Sequence, residues 1–137
     1  MSTVTTYYID ELRTEATHNY SGTKIITDAP IDNQGKAESF SPTDLLAASL
    51  GSCMITIVGI AARTQGFEER LRGTKLEITK IMKSDPRRVG EIQVVLTFPE
   101  GSNLNEKERK IIEHTSKTCP VALSLHPDLL QTWTFNW

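Results

Sequence analysis

The sequence predicts an α+β fold in which an antiparallel sheet covers one very apolar helix. Stretches that alternate apolar and polar residues, as half-buried strands do, occur near the start, in the middle and at the end of the chain. Between them, the run from Leu45 to Ala62 contains no charged residue and has helix start and stop signals at its ends. A chain of 137 residues is long enough for one domain with its own core, so we expect a single domain over residues 1–137.

The N-terminal part is predicted to be strand followed by loop. Residues 3–27 form a predicted strand region, because TVTTYYIDEL is rich in β-branched and aromatic residues and Gly22 marks a turn. The polar segment from Asp28 to Ser39 is predicted to be a loop, because it is rich in turn-forming residues.

A long helix is predicted to follow that loop. Ser41 is the expected helix cap, Pro42 occupies the first helical position, and Asp44 is placed to close a capping box. The helix is expected to run to about Thr64 and to end before Gly66. Its apolar residues surround the axis, which predicts burial on nearly all sides.

The C-terminal half predicts a hairpin, two helical pieces and a last strand. KLEITKIMK and EIQVVLTF alternate in polarity within two predicted strands, Leu71–Ser84 and Arg88–Pro99. Asn105 opens an amphipathic helix with a capping glutamate three residues later, and a second helical piece is expected from Cys119 to just before Pro127. The final QTWTFNW is predicted to be a strand with its aromatic residues on one face.

The apolar helix also predicts an assembly. One sheet in a chain of this length cannot enclose a helix that is apolar all round, so we expect a second copy to cover the other side in a homodimer. The helix approaches the minimum length of a membrane span, but Ser49, Gly51, Ser52, Thr56 and Gly59 interrupt it, and we expect a buried helix of a soluble protein without a membrane partner.

The net charge and the first residues of the chain argue against two classes of function. The net charge of −2 comes without a basic stripe, which argues against a nucleic-acid partner. The first residues lack the basic and apolar regions of a signal peptide, so we expect a cytoplasmic protein. Cysteines in that compartment stay reduced unless they are catalytic or redox-sensing.

Cys53 and Cys119 are the candidate functional residues. Cys119 precedes Pro120 and is a predicted helix cap, where the helix dipole favours a negative sulfur, and nearby Lys117 adds positive charge. Cys53 lies about three turns into the apolar helix and can react only if a partner from elsewhere reaches it. The pair is either a two-thiol redox centre or two inert core cysteines.

Asp44 is a further candidate, although its helix position restricts what it can do. It precedes Cys53 by nine residues, which places it on the opposite helix face and ~13 Å away along the axis. It could therefore act on Cys53 only from a second copy, and a helix-start role is the alternative. The histidines, His18, His114 and His126, are scattered and do not show the spacing of a metal site, so no metal or other cofactor is expected.

Two segments resemble the OsmC/Ohr family of osmotic induction and organic hydroperoxide resistance. They are SPTDLLAASLGSC, which ends at Cys53, and TCPVALSLHPDL, which contains Cys119. The resemblance implies an intertwined homodimer, with long buried central helices wrapped by antiparallel β-sheets. It also implies that Cys53 attacks an organic hydroperoxide and becomes a sulfenic acid, that Cys119 resolves it as a disulfide, and that a thiol reductant reopens the bond.

The sequence departs from the family's peroxidases at two charged positions. Thr43 stands where they carry a glutamate, and the acidic residue comes one position later, at Asp44. The stretch matching their activating arginine, ATHNYSGTKIITD, offers Lys24 as its nearest cation, and Arg13 is the only arginine before the long helix.

The sequence therefore leaves three functions open. The first is a thiol-dependent peroxidase of organic hydroperoxides. The second is a non-catalytic small-molecule binder or redox-responsive protein on the same scaffold. Thiol–disulfide exchange with protein partners is the third, and the absence of a Cys-x-x-Cys unit argues against it.

Overall fold

The computed structural model describes all residues from Met1 to Trp137, and they form two compact units, 1–46 and 47–137. The first unit holds three strands: β1 (Val4–Asp10), β2 (Arg13–His18) and β3 (Lys24–Asp28). They pair antiparallel in the order β1-β2-β3. The predicted strand region is thus three strands, and the turn between β1 and β2 was not predicted.

The helix α1 (Pro42–Gln65) begins in the first unit and continues through the second. Its bounds agree with the prediction of a start at Pro42 and an end before Gly66. The buried positions recur every three or four residues along one side: Ala47, Leu50, Gly51, Met54, Val58 and Ala62. The prediction of burial on nearly all sides is therefore wrong for a single chain, because apolar residues such as Ile60 remain 56% exposed on the other side.

By length and composition alone, α1 could cross a membrane, and a third of its most apolar window is buried in the protein. The core helix of a soluble protein meets the same two criteria.

The second unit holds the hydrophobic core and a second sheet. Its strands are β4 (Lys75–Lys83), β5 (Arg88–Thr97) and β6 (Leu130–Asn136), in that order across the sheet. β4 and β5 form the predicted antiparallel hairpin, with burial alternating along each strand. The core joins the buried side of α1 to this sheet and includes Met54, Ile92, Leu96, Ile112 and Cys119.

The prediction of purely antiparallel sheets is wrong for β6, which pairs parallel with β5. Between them lie α2 (Glu106–Ser116) and α3 (Pro120–Ser124). A parallel pair needs a crossover of a dozen or more residues, and these two helices supply it. Asn105 and Glu108 form the predicted capping box of α2.

Candidate active site

Cys53 is carried by α1, whose start is fixed by local hydrogen bonds. The Asp44 amide donates to Ser41 Oγ over 3.1 Å, and the Ser41 amide donates to Asp44 Oδ2 over 2.9 Å. This reciprocal pair is a capping box, and it stabilises the first turn of the helix. Along the helix, Cys53 is half-buried and packs against the core of the second unit.

Gly51 allows α1 to lie close to β4 next to Cys53. A methyl group at Gly51 would lie 2.3 Å from Ile78 Cδ1 and 3.0 Å from Ile78 Cγ1. Real side chains do not approach so closely, so the missing Cβ is what permits this contact. The glycine therefore sets how deeply the Cys53 segment sits on the sheet.

Cys119 is the N-cap residue of α3. Its backbone is extended, Pro120 takes the first helical position, and the Ala122 amide donates to Cys119 Sγ over 3.3 Å. The thiol is completely buried, with 0% of the residue exposed. The predicted cap is thus present, but it lies inside the core.

The fold brings the two thiols together. Both cysteines are free, they pack in the same core, and Cys53 lies near enough to Cys119 to raise the pKa of its thiol. This contact joins α1 to the segment between α2 and α3 within one chain. Sequence reasoning from the residues alone left the proximity open, because the two positions are far apart along the chain.

Several opposed effects act on Cys119, and their balance raises the pKa of its thiol. Burial is the largest cause, and the hydrogen bond and negative charge of Cys53 raise the pKa further. The amides of Ala122 and Val121 lower the pKa but do not compensate. The expectation that the helix cap makes Cys119 acidic is therefore wrong, because burial outweighs the cap.

The charged candidates of the first unit have their own partners there. Besides the capping box, Asp44 adjoins Ser41 and Thr43, whose hydroxyl oxygens are 3.2 Å apart. The ammonium group of Lys24 lies 2.7 Å from Glu15 Oε1.

Arg13 forms an ion pair with Glu38 and lies 3.4 Å from Asp28 Oδ2. Asp28 is only 1% exposed, and the Glu38 amide donates to it over 2.9 Å. That amide is the main cause that keeps the pKa of Asp28 below its usual range, and the positive charge of Arg13 adds to it.

Sequence reasoning missed the contacts that link β6 to residues next to the two cysteines in the chain. Trp133 Nε1 donates to Met54 Sδ over 3.2 Å, and Lys117 Nζ lies 5.8 Å from the centre of the Trp133 ring. Gln131 Nε2 donates to the Ala122 carbonyl over 2.9 Å. The alternation of β6 predicted that Trp133 shares one face with the other aromatic residues, but no local signal indicates Met54 as its partner.

The structure shows no group of three or more His, Cys, Asp or Glu side chains that could hold a metal ion. What the site offers is therefore two adjacent thiols, one half-buried on a helix and one buried at a helix start. Such a pair can form a disulfide and reopen it.

Comparison with known proteins shows the family to which this α+β protein with two thiols belongs. The model of the family described as OsmC-like protein matches residues 35–131. The chain belongs to this family, and its resemblance to OsmC/Ohr proteins is confirmed. No curated protein matches the chain.

Solved structures share the fold. A candidate osmotic stress induced and detoxification response protein from Psychrobacter arcticus is 51% identical, with a TM-score of 0.93 over 99% of this chain and 96% of that one. An organic hydroperoxide resistance protein OsmC from Legionella pneumophila is 15% identical, with a TM-score of 0.67 over 98% of this chain and 95% of that one. An OsmC-like protein of unknown function from Vibrio cholerae is 14% identical, with a TM-score of 0.76 over 97% and 99%. The chain thus has the OsmC-like fold, and the two more distant structures bear on the fold alone.

Proposed function

We propose that this protein is a thiol-dependent peroxidase that reduces organic hydroperoxides through Cys53 and Cys119. The observation that carries the proposal is the proximity of two free thiols, Cys53 and Cys119, within one core. The chain belongs to the OsmC-like family and shares its fold with organic hydroperoxide resistance proteins, which is compatible with this reaction.

The burial of the thiols suits them to successive steps. Cys53, the more exposed thiol, attacks the terminal peroxide oxygen, the O–O bond breaks, and the products are an alcohol and a Cys53 sulfenic acid. Cys119, whose raised pKa keeps it protonated until this step, then loses its proton, and its sulfur attacks the Cys53 sulfur. An S–S bond forms, and the sulfenic oxygen leaves as water with the Cys119 proton. Two equivalents of a thiol reductant reopen the disulfide and become a disulfide themselves.

The apolar surroundings favour alkyl or lipid hydroperoxides over hydrogen peroxide. Cys53 packs against the core beside Met54, Ile55 and Ile57. Burial of an apolar substituent in such surroundings contributes about 25 cal/mol per Å² of area removed from water, and hydrogen peroxide has no such substituent. No metal or organic cofactor takes part in the proposed cycle.

We also propose that the protein works as an intertwined homodimer in the cytoplasm. The outer side of α1 and the sheet of the first unit both expose apolar residues, including Ile60, Tyr7 and Ile9. A second copy would cover them and make α1 a central helix. In such a dimer, Asp44 of one copy is the carboxylate proposed to act on Cys53 of the other.

Matched serine variants test the peroxidase. With cumene hydroperoxide and a dithiol reductant, Cys53→Ser should abolish turnover, because no thiol remains to attack the peroxide. Cys119→Ser should still consume one equivalent of peroxide and accumulate a Cys53 sulfenic acid, which dimedone traps for mass spectrometry. A Cys53→Ser variant as active as the parent protein would refute the proposal.

A second candidate is a non-catalytic small-molecule binder or redox-responsive protein on the same scaffold. It is favoured by the engagement of Lys24 with Glu15 and of Arg13 with Asp28 and Glu38, since these are the only cations of the strand region before α1. Mass spectrometry after one equivalent of peroxide separates the two. Rapid formation of a Cys53–Cys119 disulfide supports the peroxidase, whereas unmodified thiols support the binder.

A further inference from the structure

One aromatic side chain contacts both segments that carry the thiols. Trp133, on β6, donates its indole N–H to the sulfur of Met54, the residue that follows Cys53. The same ring lies under the ammonium group of Lys117, two residues before Cys119. Trp133 thus connects the central part of α1 to the end of α2.

We propose that Trp133 is a positioning residue that keeps Cys53 and Cys119 aligned for disulfide formation. The inference rests on the proposed function, because alignment matters only if the two sulfurs bond to each other. Trp133 itself touches neither the substrate nor the sulfur of either cysteine in this scheme. It acts through Met54 on one side and Lys117 on the other.

The indole–thioether contact constrains the rotation of α1. Met54 is completely buried, so its sulfur has no water to replace the Trp133 donor. Successive residues of an α-helix lie about 100° apart around the axis, so a helix held at Met54 is also held at Cys53. A disulfide requires a Cβ–Cβ distance of about 3.5–4.5 Å, which leaves little room for rotation.

The Lys117 contact constrains the other segment. Its ammonium group faces the Trp133 ring at a distance typical of cation–π pairs. Lys117 is the C-cap residue of α2, and only Thr118 separates it from Cys119. Holding Lys117 against the ring therefore limits how far the start of α3 can move from α1.

Exchange with glutathione measures the alignment without any peroxide. In this reaction the protein dithiol and one glutathione disulfide give the protein disulfide and two glutathione thiols, so that one S–S bond breaks and one forms. Both thiol protons pass to glutathione. The equilibrium constant rises with the effective concentration of one protein thiol at the other.

Three variants of the full-length protein form the test. Trp133→Phe keeps an aromatic ring but removes the donor, and Met54→Leu removes the acceptor at similar volume. Each should lower the equilibrium constant about fivefold, as expected for the loss of one hydrogen bond. Trp137→Phe is the matched control, since Trp137 stacks on Phe98 and Phe135 instead, and it should leave the constant unchanged.

The double variant Trp133→Phe/Met54→Leu distinguishes alignment from general weakening. Both changes break the same bond, so the double variant should be no worse than either single one. An unchanged constant in Trp133→Phe, an equal loss in Trp137→Phe, or additive losses in the double variant would each overturn the positioning role.

Peroxide turnover is measured separately on the parent protein. A parent that exchanges with glutathione as described but does not consume peroxide leaves the positioning role standing and refutes the peroxidase. A parent that forms no Cys53–Cys119 disulfide in any glutathione buffer overturns the positioning role.

Discussion

At the residue scale, Cys119 occupies a helix start and nevertheless keeps its proton. The Ala122 amide favours a negative sulfur, whereas complete burial and the neighbouring Cys53 favour the thiol. Burial has the larger effect, because a thiolate removed from water loses more hydration than one amide replaces. This balance suits a thiol that must wait until Cys53 is oxidised.

The contribution of Cys53 to the raised pKa of Cys119 can be measured. In a Cys53→Ala variant the hydrogen bond and the charge of Cys53 are both removed, so the pKa of Cys119 should fall. It should still remain above the ordinary value for cysteine, because the burial of Cys119 persists. A pH titration of thiolate absorbance in the ultraviolet, with one cysteine left, gives this pKa directly.

The matched variant for that titration is Cys53→Ser, which keeps a hydroxyl beside Cys119 but removes the possible negative charge. Its Cys119 should titrate no lower than that of Cys53→Ala. A pKa of Cys119 that does not differ between Cys53→Ala and the parent protein would contradict the contact between the two thiols.

A property of these residues can be predicted from the sequence when residues nearby in the chain determine it. Pro120 directly after Cys119 predicts the cap, because capping involves only residues within one turn. The burial of Cys119 depends on α1 and the second sheet, which are distant in the chain. The bond from Trp133 to Met54 is likewise set by packing, so neither could be read from nearby residues.

At the element scale, the distinction between local and distant causes explains which helices and strands were predicted correctly. The bounds of α1 follow from Ser41, Pro42 and Gly66, all local signals. The turn between β1 and β2 was missed because Glu11 and Leu12 adopt φ values of 50° and 64° there without a glycine to indicate it. The parallel direction of β6 was missed because direction depends on how α2 and α3 cross the sheet, not on polarity alternation.

Two glycines of α1 give a matched test of its packing. Gly51→Ala should destabilise the protein by about 1 kcal/mol, because overpacking against Ile78 exceeds the gain in helix propensity. Turning the terminal methyl of Ile78 away does not suffice, since Cγ1 would also lie at 3.0 Å. Gly59→Ala meets no atom within 4 Å and should stabilise by about 0.5–1 kcal/mol.

Urea unfolding at equal protein concentration measures both free energies. The two variants should differ in opposite directions from the parent protein. If Gly51→Ala is as stable as Gly59→Ala, then α1 does not lie as close to β4 as the structure has it, and the depth of Cys53 must be reconsidered.

At the scale of the whole molecule, each unit leaves apolar surface exposed. In the first unit, nearly all of β1 is exposed, including Tyr7 and Tyr8. In the second, α1 packs one side on the core and exposes Ile60 on the other. Exposed apolar surface of this extent is typical of an interface, and it supports the proposed homodimer.

The proposed homodimer predicts that a charge on the outer side of α1 will separate the copies. Ile60→Asp places a carboxylate where the partner helix should pack, and burying an unpaired charge costs several kcal/mol, so the variant should be monomeric at micromolar concentration. Ile31→Asp is the control: Ile31 is 76% exposed in the short 3-10 helix Ile31–Asn33, outside α1, and its variant should remain dimeric. Light scattering coupled to size exclusion measures both masses. If Ile60→Asp elutes at the same mass as the parent, α1 does not form the interface, and Asp44 cannot act across it on Cys53.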